Sequence, residues 1–564
     1  MTDARTDPDG RGLSWTLEDV HFPAPLTRWT ATLWVKGETR AIKDLCAEYG
    51  LLLDGIEMRE VGGRVYTTTV PLGGKVRKPP PAFLVPVLTR LVPELRRRIA
   101  TMRRHEANEE YRTIVDRWLG SLEDELLAEG RRLLATDLSG ADDAELADVL
   151  ADAFALALRG CEEHFRLHGV GINEIGKLGL ALSRAGWTPA EVTALFTGLS
   201  DTTTGPARSQ AEVVEAARRA GSIDGLTGAA TLDDVRSIGP EVAAALDEYL
   251  ERWAIRAMAY EVAEPPIVDR PALVLGALRD AARRPVRAAS GTDHAEGRRK
   301  AEERAVADLG GGEDARDRVA RAQRAFPIRE GNETATIGVP VAVLHRVGQA
   351  IGKRFAADRR LEHAGDVYDL EPDEVMALLR HRDDAPADPA TLAAGRRAAR
   401  KAWTGTPVPR TIGPPATLPE LAGFPADVTE ILDATFWYLE HVGAEGLVAG
   451  KPVTGTTLTG VAAAPGTYEG PARVVLDESG LDRIEPGDVL VCPITSPVWS
   501  MVFPSLGGLV CDAGGMLSHP AIIAREFGIP AVVGTGSATT ALTDGQVVRV
   551  DGSEGRVEPV ASSA

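Results

Sequence analysis

The apolar run Gly508-Leu509-Val510-Cys511 is followed closely by Gly514-Gly515-Met516-Leu517-Ser518-His519-Pro520, and this succession constrains the fold more than any other. The run reads as a strand, the glycines Gly514 and Gly515 let the backbone turn tightly, and Ser518 with Pro520 opens a helix at His519 itself. Proline in a first helical turn loses no intrahelical hydrogen bond, so Pro520 is compatible with that helix. Unpaired amides at the helix start then face the imidazole. They favour an anionic group there, such as a phosphoryl group, by ~0.3–1 kcal/mol when exposed. The plainer reading, a histidine that packs at a helix start, uses the same residues.

Three further segments precede the histidine in a set order: Gly460-Val461-Ala462-Ala463-Ala464-Pro465-Gly466, Gly470-Pro471-Ala472-Arg473-Val474-Val475 and Pro486-Gly487-Asp488-Val489-Leu490-Val491. Together with 514–535 they resemble the phosphohistidine swivelling domain of phosphoenolpyruvate-utilising enzymes, over about 457–560. The resemblance implies an α/β domain in which His519 carries a phosphoryl group. It also brings in Ser518, Arg525 and the motif glycines Gly514 and Gly515. Many relatives have Thr-Ser-His or Thr-Cys-His where this chain has Leu517-Ser518-His519, so control through that threonine hydroxyl is missing. Arg525 lies six residues past His519, nearly opposite on an ideal helix, and fits a helix-bridging charge as well as a phosphoryl contact.

At 564 residues the chain has room for about three or four domains. No apolar run reaches the ~18–20 residues needed to cross a bilayer, and the polar start Met1-Thr2-Asp3-Ala4-Arg5 leads into no hydrophobic signal core, which places the chain in the cytoplasm with no membrane partner. Cys46, Cys161, Cys492 and Cys511 form no C-x-x-C pair and read as reduced, mostly buried thiols. A formal net charge of −19 argues against general nucleic-acid binding, which needs positive charge to displace counterions.

Along the chain, Ser14–Thr27 carries Pro23 and Pro25 and reads as extended, and Arg64–Val70 alternates like a strand. Helical periodicity follows from about 84 to 260, with Ala144–Arg166 and Glu212–Ala220 as examples. The charged stretch 283–324 reads as solvated helices interrupted by Gly310-Gly311-Gly312. Residues 381–427 collect prolines, and 443–455 collect glycines, so both read as connectors or hinges. The expected layout is an α/β segment at 14–83, a mainly α-helical acceptor-binding body at 84–380, a linker at 381–456 and the histidine domain at 457–560.

The body also resembles the rifampin phosphotransferases and related phosphoenolpyruvate-synthase-like proteins, in the part after their ATP-binding domain. The segments concerned are His21-Phe22-Pro23, Leu195-Phe196-Thr197-Gly198-Leu199, Tyr249–Arg256 with Glu261 and Pro265, and Gly352-Lys353-Arg354-Phe355 with Asp366–Leu370. Arg329-Glu330 matches the start of the family's Arg-Glu-x-x-Lys motif, whose lysine position holds Glu333. Ala254 and Ala257 replace glycines around Arg256. The resemblance implies that Arg329, Glu330 and Arg256 stabilise charge during transfer, although a salt bridge to a neighbouring acid explains Arg329 equally well. His164 and His168, four apart on one helix face ended by Gly169, are the nearest approach to a metal pair, but no third ligand accompanies them, and no metal is assigned.

No ATP-binding domain is recognised before residue 14 and no barrel after 560, and the chain resembles the histidine-bearing half of split systems such as the phenylphosphate synthases. The expected function is therefore a phosphohistidine-carrying subunit of a phosphotransferase. ATP and Mg2+ act through an ATP-grasp-type nucleotide-binding partner, this chain alone binding neither, and the phosphoryl group passes by way of His519 to a hydroxyl of a small organic acceptor. Two alternatives use the same residues: a binding or scaffolding relative that kept the fold without the chemistry, and a dehydratase-like or ligase-like enzyme in which phosphorylation activates a hydroxyl.

Overall fold

The computed structural model describes residues 10–19, 21–283, 291–404, 406–415, 421–441, 457–495, 497–516 and 518–560. The chain divides into two compact units: Met1–Val170, Ala259–Pro265 and Asn332–Leu432 form the first, and Gly171–Met258, Pro266–Gly331 and Asp433–Ala564 form the second. The stretch 84–380 thus contributes to both.

In the first unit, β1 (Trp15–Leu17), β2 (Leu53–Val61), β3 (Arg64–Pro71) and β4 (Thr411–Ile412) form an antiparallel sheet of order β2-β3-β1-β4. Thr16 pairs with Thr67 and Leu17 with Tyr66, and this register sends Trp15, Leu17, Tyr66 and Val70 into one small core with Leu13 and Ile412. A π-helical turn, Thr32–Glu38, precedes the helix Thr39–Glu48, and a second one, Thr334–Gly338, precedes Val339–Ala357.

The long helix α1 (Asp143–Arg184) runs straight past Gly169, where sequence reasoning ends it. The reason is packing. A Cβ at Gly169 would lie 2.1 Å from the Tyr49 ring, and one at Gly179 would lie 2.1 Å from the Trp437 ring. These glycines admit aromatic rings against the helix instead of stopping it, which outweighs their poor helix propensity of ~1 kcal/mol each.

The second unit holds the rest of α1, α2 (Asp201–Arg219), the helix Gly291–Asp308, most of α3 (Gly312–Glu333) and the end of α4 (Ala426–His441). The charged stretch is indeed two helices, broken where Gly310, Gly311 and Gly312 all take positive φ. The hinge expected at 443–455 lies outside the described residues.

Eight strands complete this unit: β5 (Leu458–Thr459), β6 (Val461–Ala464), β7 (Thr467–Val474), β8 (Val489–Cys492), β9 (Gly508–Cys511), β10 (Ala531–Val533), β11 (Val547–Asp551) and β12 (Arg556–Pro559). Their order is β5-β12-β11-β7-β8-β9-β10-β6, with β7, β8, β9 and β10 mutually parallel. β8 and β9 are buried along their whole length, as expected of parallel strands covered on both faces. The short helix α5 (His519–Phe527) follows β9. The architecture is therefore multidomain, mainly helical with a C-terminal α/β domain. All four cysteines are free and buried, and Cys492 and Cys511 face each other across β8 and β9 with 3.6 Å between sulfurs. Among the described residues, no helix is long and apolar enough to cross a membrane.

Candidate active site around His519

The loop between β9 and α5 is tied to its neighbours before it reaches the histidine. Asp512 N–H donates to the Cys492 carbonyl at 3.0 Å and Ala513 N–H to Pro493 at 2.9 Å, so the loop continues along the end of β8. On the other side, Thr535 N–H donates to Cys511 at 3.1 Å and Gly536 N–H to Asp512 at 2.8 Å, joining it to the end of β10. The Asp512 carboxylate accepts from the hydroxyls of Thr535 and Thr539 and from the Thr539 amide. A loop at the carboxyl ends of parallel strands is where α/β sheets place their ligands.

The chain then turns at Gly514, whose φ of +117° suits glycine alone. A Cβ there would lie 2.8 Å from the Ser518 hydroxyl oxygen. Gly515 has no positive φ, and its nearest contact to an added Cβ is the His441 carbonyl at 3.3 Å, at the end of α4. Leu517 lies outside the described residues. Ser518 is the N-cap by backbone conformation, with extended φ −70° and ψ 156°, but its hydroxyl does not cap the helix. It donates to the Gly515 carbonyl at 2.8 Å and so closes the loop on itself. His519 begins α5 and is 5% exposed, with Pro520 in the first turn.

Arg525 sits on the buried length of α5, and its guanidinium donates to the carbonyls of Ala463 and Met516, both at 2.7 Å. Burial pulls its pKa down to about 10, against the opposing effect of neighbouring Glu526. Its hydrogen bonds therefore brace strand β6 and the histidine loop. Glu526 is buried too and accepts the Gly198 N–H at 2.8 Å. Ile522 joins an apolar cluster with Phe196, Phe326, Trp437 and Tyr438. Ala521, Ile523, Ala524 and Phe527 join another that includes residues of α2. Both sides of α5 are thus packed on the helical part of the second unit.

The remaining expected residues fall elsewhere in that unit. Arg329, on α3, donates from Nε to the Tyr438 hydroxyl at 2.9 Å, and Tyr438 shares its cluster with Ile522, one turn beyond His519. Arg256 is buried with its guanidinium 5.6 Å from the Trp253 ring centre. The Glu330 side chain lies outside the described residues. Three further hydroxyls, none singled out by the sequence, follow the strands on either side of β9: Thr495 after β8, Ser500 in the 3-10 helix Pro497–Met501, and Ser537 after β10. Each has a buried hydroxyl oxygen without a hydrogen-bond partner among the described residues. Thr495 and Ser537 lie within four residues of the end of a buried strand, and Ser500 carries no such sequence signal.

Comparison with known proteins matches these two parts separately. Residues 484–555 match the mobile domain of PEP-utilising enzymes, and residues 170–330 match the fourth domain of rifampicin phosphotransferase. A rifampicin phosphotransferase of Streptomyces sp is 32% identical over 355 residues, covering 60% of this chain and 37% of that protein. An uncharacterized phosphotransferase of Bacillus subtilis is 35% identical over 213 residues, covering 38% and 23%. A phosphoenolpyruvate synthase of Aeropyrum pernix is 50% identical over 99 residues, covering 17% and 12%. The fold and the histidine loop thus define a chain that carries the mobile domain of the PEP-utilising enzymes. Through its helical domain it is a relative of the rifampicin phosphotransferases, and it spans little more than a third of the length of the Streptomyces protein.

Proposed function

We propose that this chain is the phosphohistidine carrier of a phosphotransferase, loaded by a separate ATP-grasp-type protein that binds ATP and Mg2+. The observation that carries the reading is the seat of His519: first turn of α5, on a loop at the carboxyl ends of three parallel strands. A ring nitrogen of His519 attacks phosphorus, a P–N bond forms, and the P–O bond to the nucleotide's leaving group breaks. In the second step an acceptor hydroxyl oxygen attacks phosphorus, the P–N bond breaks, and the hydroxyl proton passes to a base or to water. The acceptor is a small organic molecule.

In this reading Ser518 and Arg525 hold the loop, and the hydroxyls of Thr495, Ser500 and Ser537 are donors available to phosphoryl oxygens. Arg329, Glu330 and Arg256 serve the acceptor side. A binding protein without the chemistry is the competing reading, favoured by the 5% exposure of His519. Intact-mass measurement at neutral pH, after incubation with ATP and a lysate of the source organism, separates the two. One acid-labile phosphoryl group, absent from His519→Ala, supports the carrier. No such group, where a known carrier becomes loaded, overturns it.

A further inference from the structure

We propose that the first unit docks on an anionic phospholipid surface through residues 75–97, a segment in which exposed apolar side chains alternate with unpaired cations. Docking there is independent of the carrier reading above, since it involves no residue of the second unit.

The segment is apolar on the side where a surface helix is ordinarily polar. A 3-10 turn, Ala82–Leu84, runs into the helix Val85–Leu91. Val85 and Thr89, four apart, are buried and form its inner side. The inner side is firmly seated: a Cβ at Gly423 would lie 2.2 Å from the Ala82 carbonyl and 3.0 Å from the Val85 Cβ. Phe83, Val87 and Leu91, also four apart, are 77%, 48% and 72% exposed, and Val76, Leu84 and Val92 of the same segment are exposed too. Of the eleven large apolar residues exposed among the described residues, six thus fall between 76 and 92. Single exposed apolar residues are ordinary, whereas a cluster of them marks an interaction surface.

Charge selects the occupant. The chain carries a formal net charge of −19, but residues 75–104 hold nine basic residues and one acid. That acid, Glu94, is taken by Arg97 and Arg98. Lys75, Arg77, Lys78, Arg90 and Arg96 are exposed, and their side chains make no hydrogen bond or ion pair with any described residue. Three of them precede the apolar helix, one lies at its end and one just beyond it. Screening acts over ~8 Å at physiological salt, so acids farther away than that do not cancel them. A second copy offering the same face would set these cations against each other. Phe83 and Leu91 are too exposed to line a groove, and a fluid headgroup layer takes protruding side chains without a matching shape. Each Lys or Arg held near an anionic leaflet strengthens binding about fivefold. Sequence reasoning assigns no membrane partner because it looks for a span, and no helix among the described residues is long and apolar enough to be one. A face that lies on the headgroups needs none.

The test is flotation of the full chain with vesicles of phosphatidylcholine alone and of phosphatidylcholine with about 30% phosphatidylglycerol. At about 0.1 M salt the chain is expected to bind the anionic vesicles about tenfold or more tighter than the neutral ones, and to lose that preference at about 1 M, where screening shortens to ~3 Å. Lys75→Gln, Arg77→Gln and Lys78→Gln combined are expected to weaken binding about tenfold or more. Phe83→Ser with Leu91→Ser, at positions exposed enough to leave the thermal transition unchanged, is expected to weaken it about fivefold or more. Leu476→Ser, at an exposed leucine of the second unit, is expected to bind as the parent does. Equal binding to both kinds of vesicle at low salt, no binding to the anionic ones up to about 1 mM lipid, or parent-like binding by either patch variant overturns the proposal. A dimer in light scattering that Phe83→Ser with Leu91→Ser abolishes, without vesicle binding, gives the face to a second copy and overturns it as well. His519→Ala is expected to bind vesicles normally. Failure of the carrier reading therefore shows as a missing phosphoryl group, and failure here as missing vesicle binding.

Discussion

The guanidinium of Arg525 reaches back over its own helix to the carbonyl of Met516, 2.7 Å away, and so fastens the loop that presents His519. A second bond of equal length to Ala463 fixes that loop to β6. The two carbonyls are held by different guanidinium nitrogens, Nη1 and Nη2, a forked pairing that a single ammonium does not reproduce.

Arg525→Lys is therefore expected to destabilise the second unit by about 2–4 kcal/mol, because one buried carbonyl loses its donor and the charge is kept. Urea denaturation reads this directly. Phosphoryl loading of His519 is expected to fall even under conditions where the variant remains folded.

The two motif glycines are expected to behave differently. Gly514→Ala forces a side chain into φ +117° and to 2.8 Å from the Ser518 oxygen, which costs about 1–3 kcal/mol and displaces the Ser518 bond to Gly515. Gly515→Ala meets nothing closer than 3.3 Å and is expected to cost less than about 1 kcal/mol. Equal effects in thermal denaturation would show that the turn does not depend on Gly514.

Glu526 anchors α5 to the amide of Gly198. Glu526→Ala removes the buried, charged acceptor of the Gly198 N–H and is expected to cost about 1.5–3 kcal/mol. It is also expected to speed modification of His519 by diethylpyrocarbonate, since the histidine is only 5% exposed while α5 is packed. Unchanged modification kinetics would place the control of His519 access elsewhere.

Glu38 makes stability depend on pH in an unusual direction. Its pKa lies at about 8 in the folded chain against an ordinary 4.5, so the folded state holds this proton more tightly than the unfolded state. Its contribution is full below pH 4.5 and is lost as pH rises through about 8. Glu38→Gln is expected to flatten this fall, leaving the variant more stable than the parent at pH 8 by on the order of 3 kcal/mol. Denaturation curves at pH 5 and pH 8 for both proteins measure it.

Much of the histidine loop was legible because its signals are local. The strand 508–511, the glycine turn and the proline-tolerant helix start each follow from the conformational preferences of the residues at those positions. The hydroxyl of Ser518 was not legible, since bonding the helix amides and bonding the Gly515 carbonyl are both open to a serine and only the closed loop selects the second. Arg525 shows the same limit. A helical projection puts it opposite His519, and only the return of the loop brings the Met516 carbonyl within its reach.

Gly169 marks where local preference and tertiary packing part company. Alone, a glycine after a histidine-rich turn reads as a helix end; in the folded chain the Tyr49 ring occupies the space of its missing side chain and α1 continues to Arg184. The rings of Phe22, Trp34 and Tyr260 pack on one another although residue 260 lies far from 22 and 34 in the chain, and no periodicity within any window joins them. By itself, then, the sequence determined the elements and the seat of His519, because backbone dihedral preferences act over a few residues. Which side chains brace that seat was decided by the tertiary structure, because burial and hydrogen bonding depend on what distant segments bring into contact.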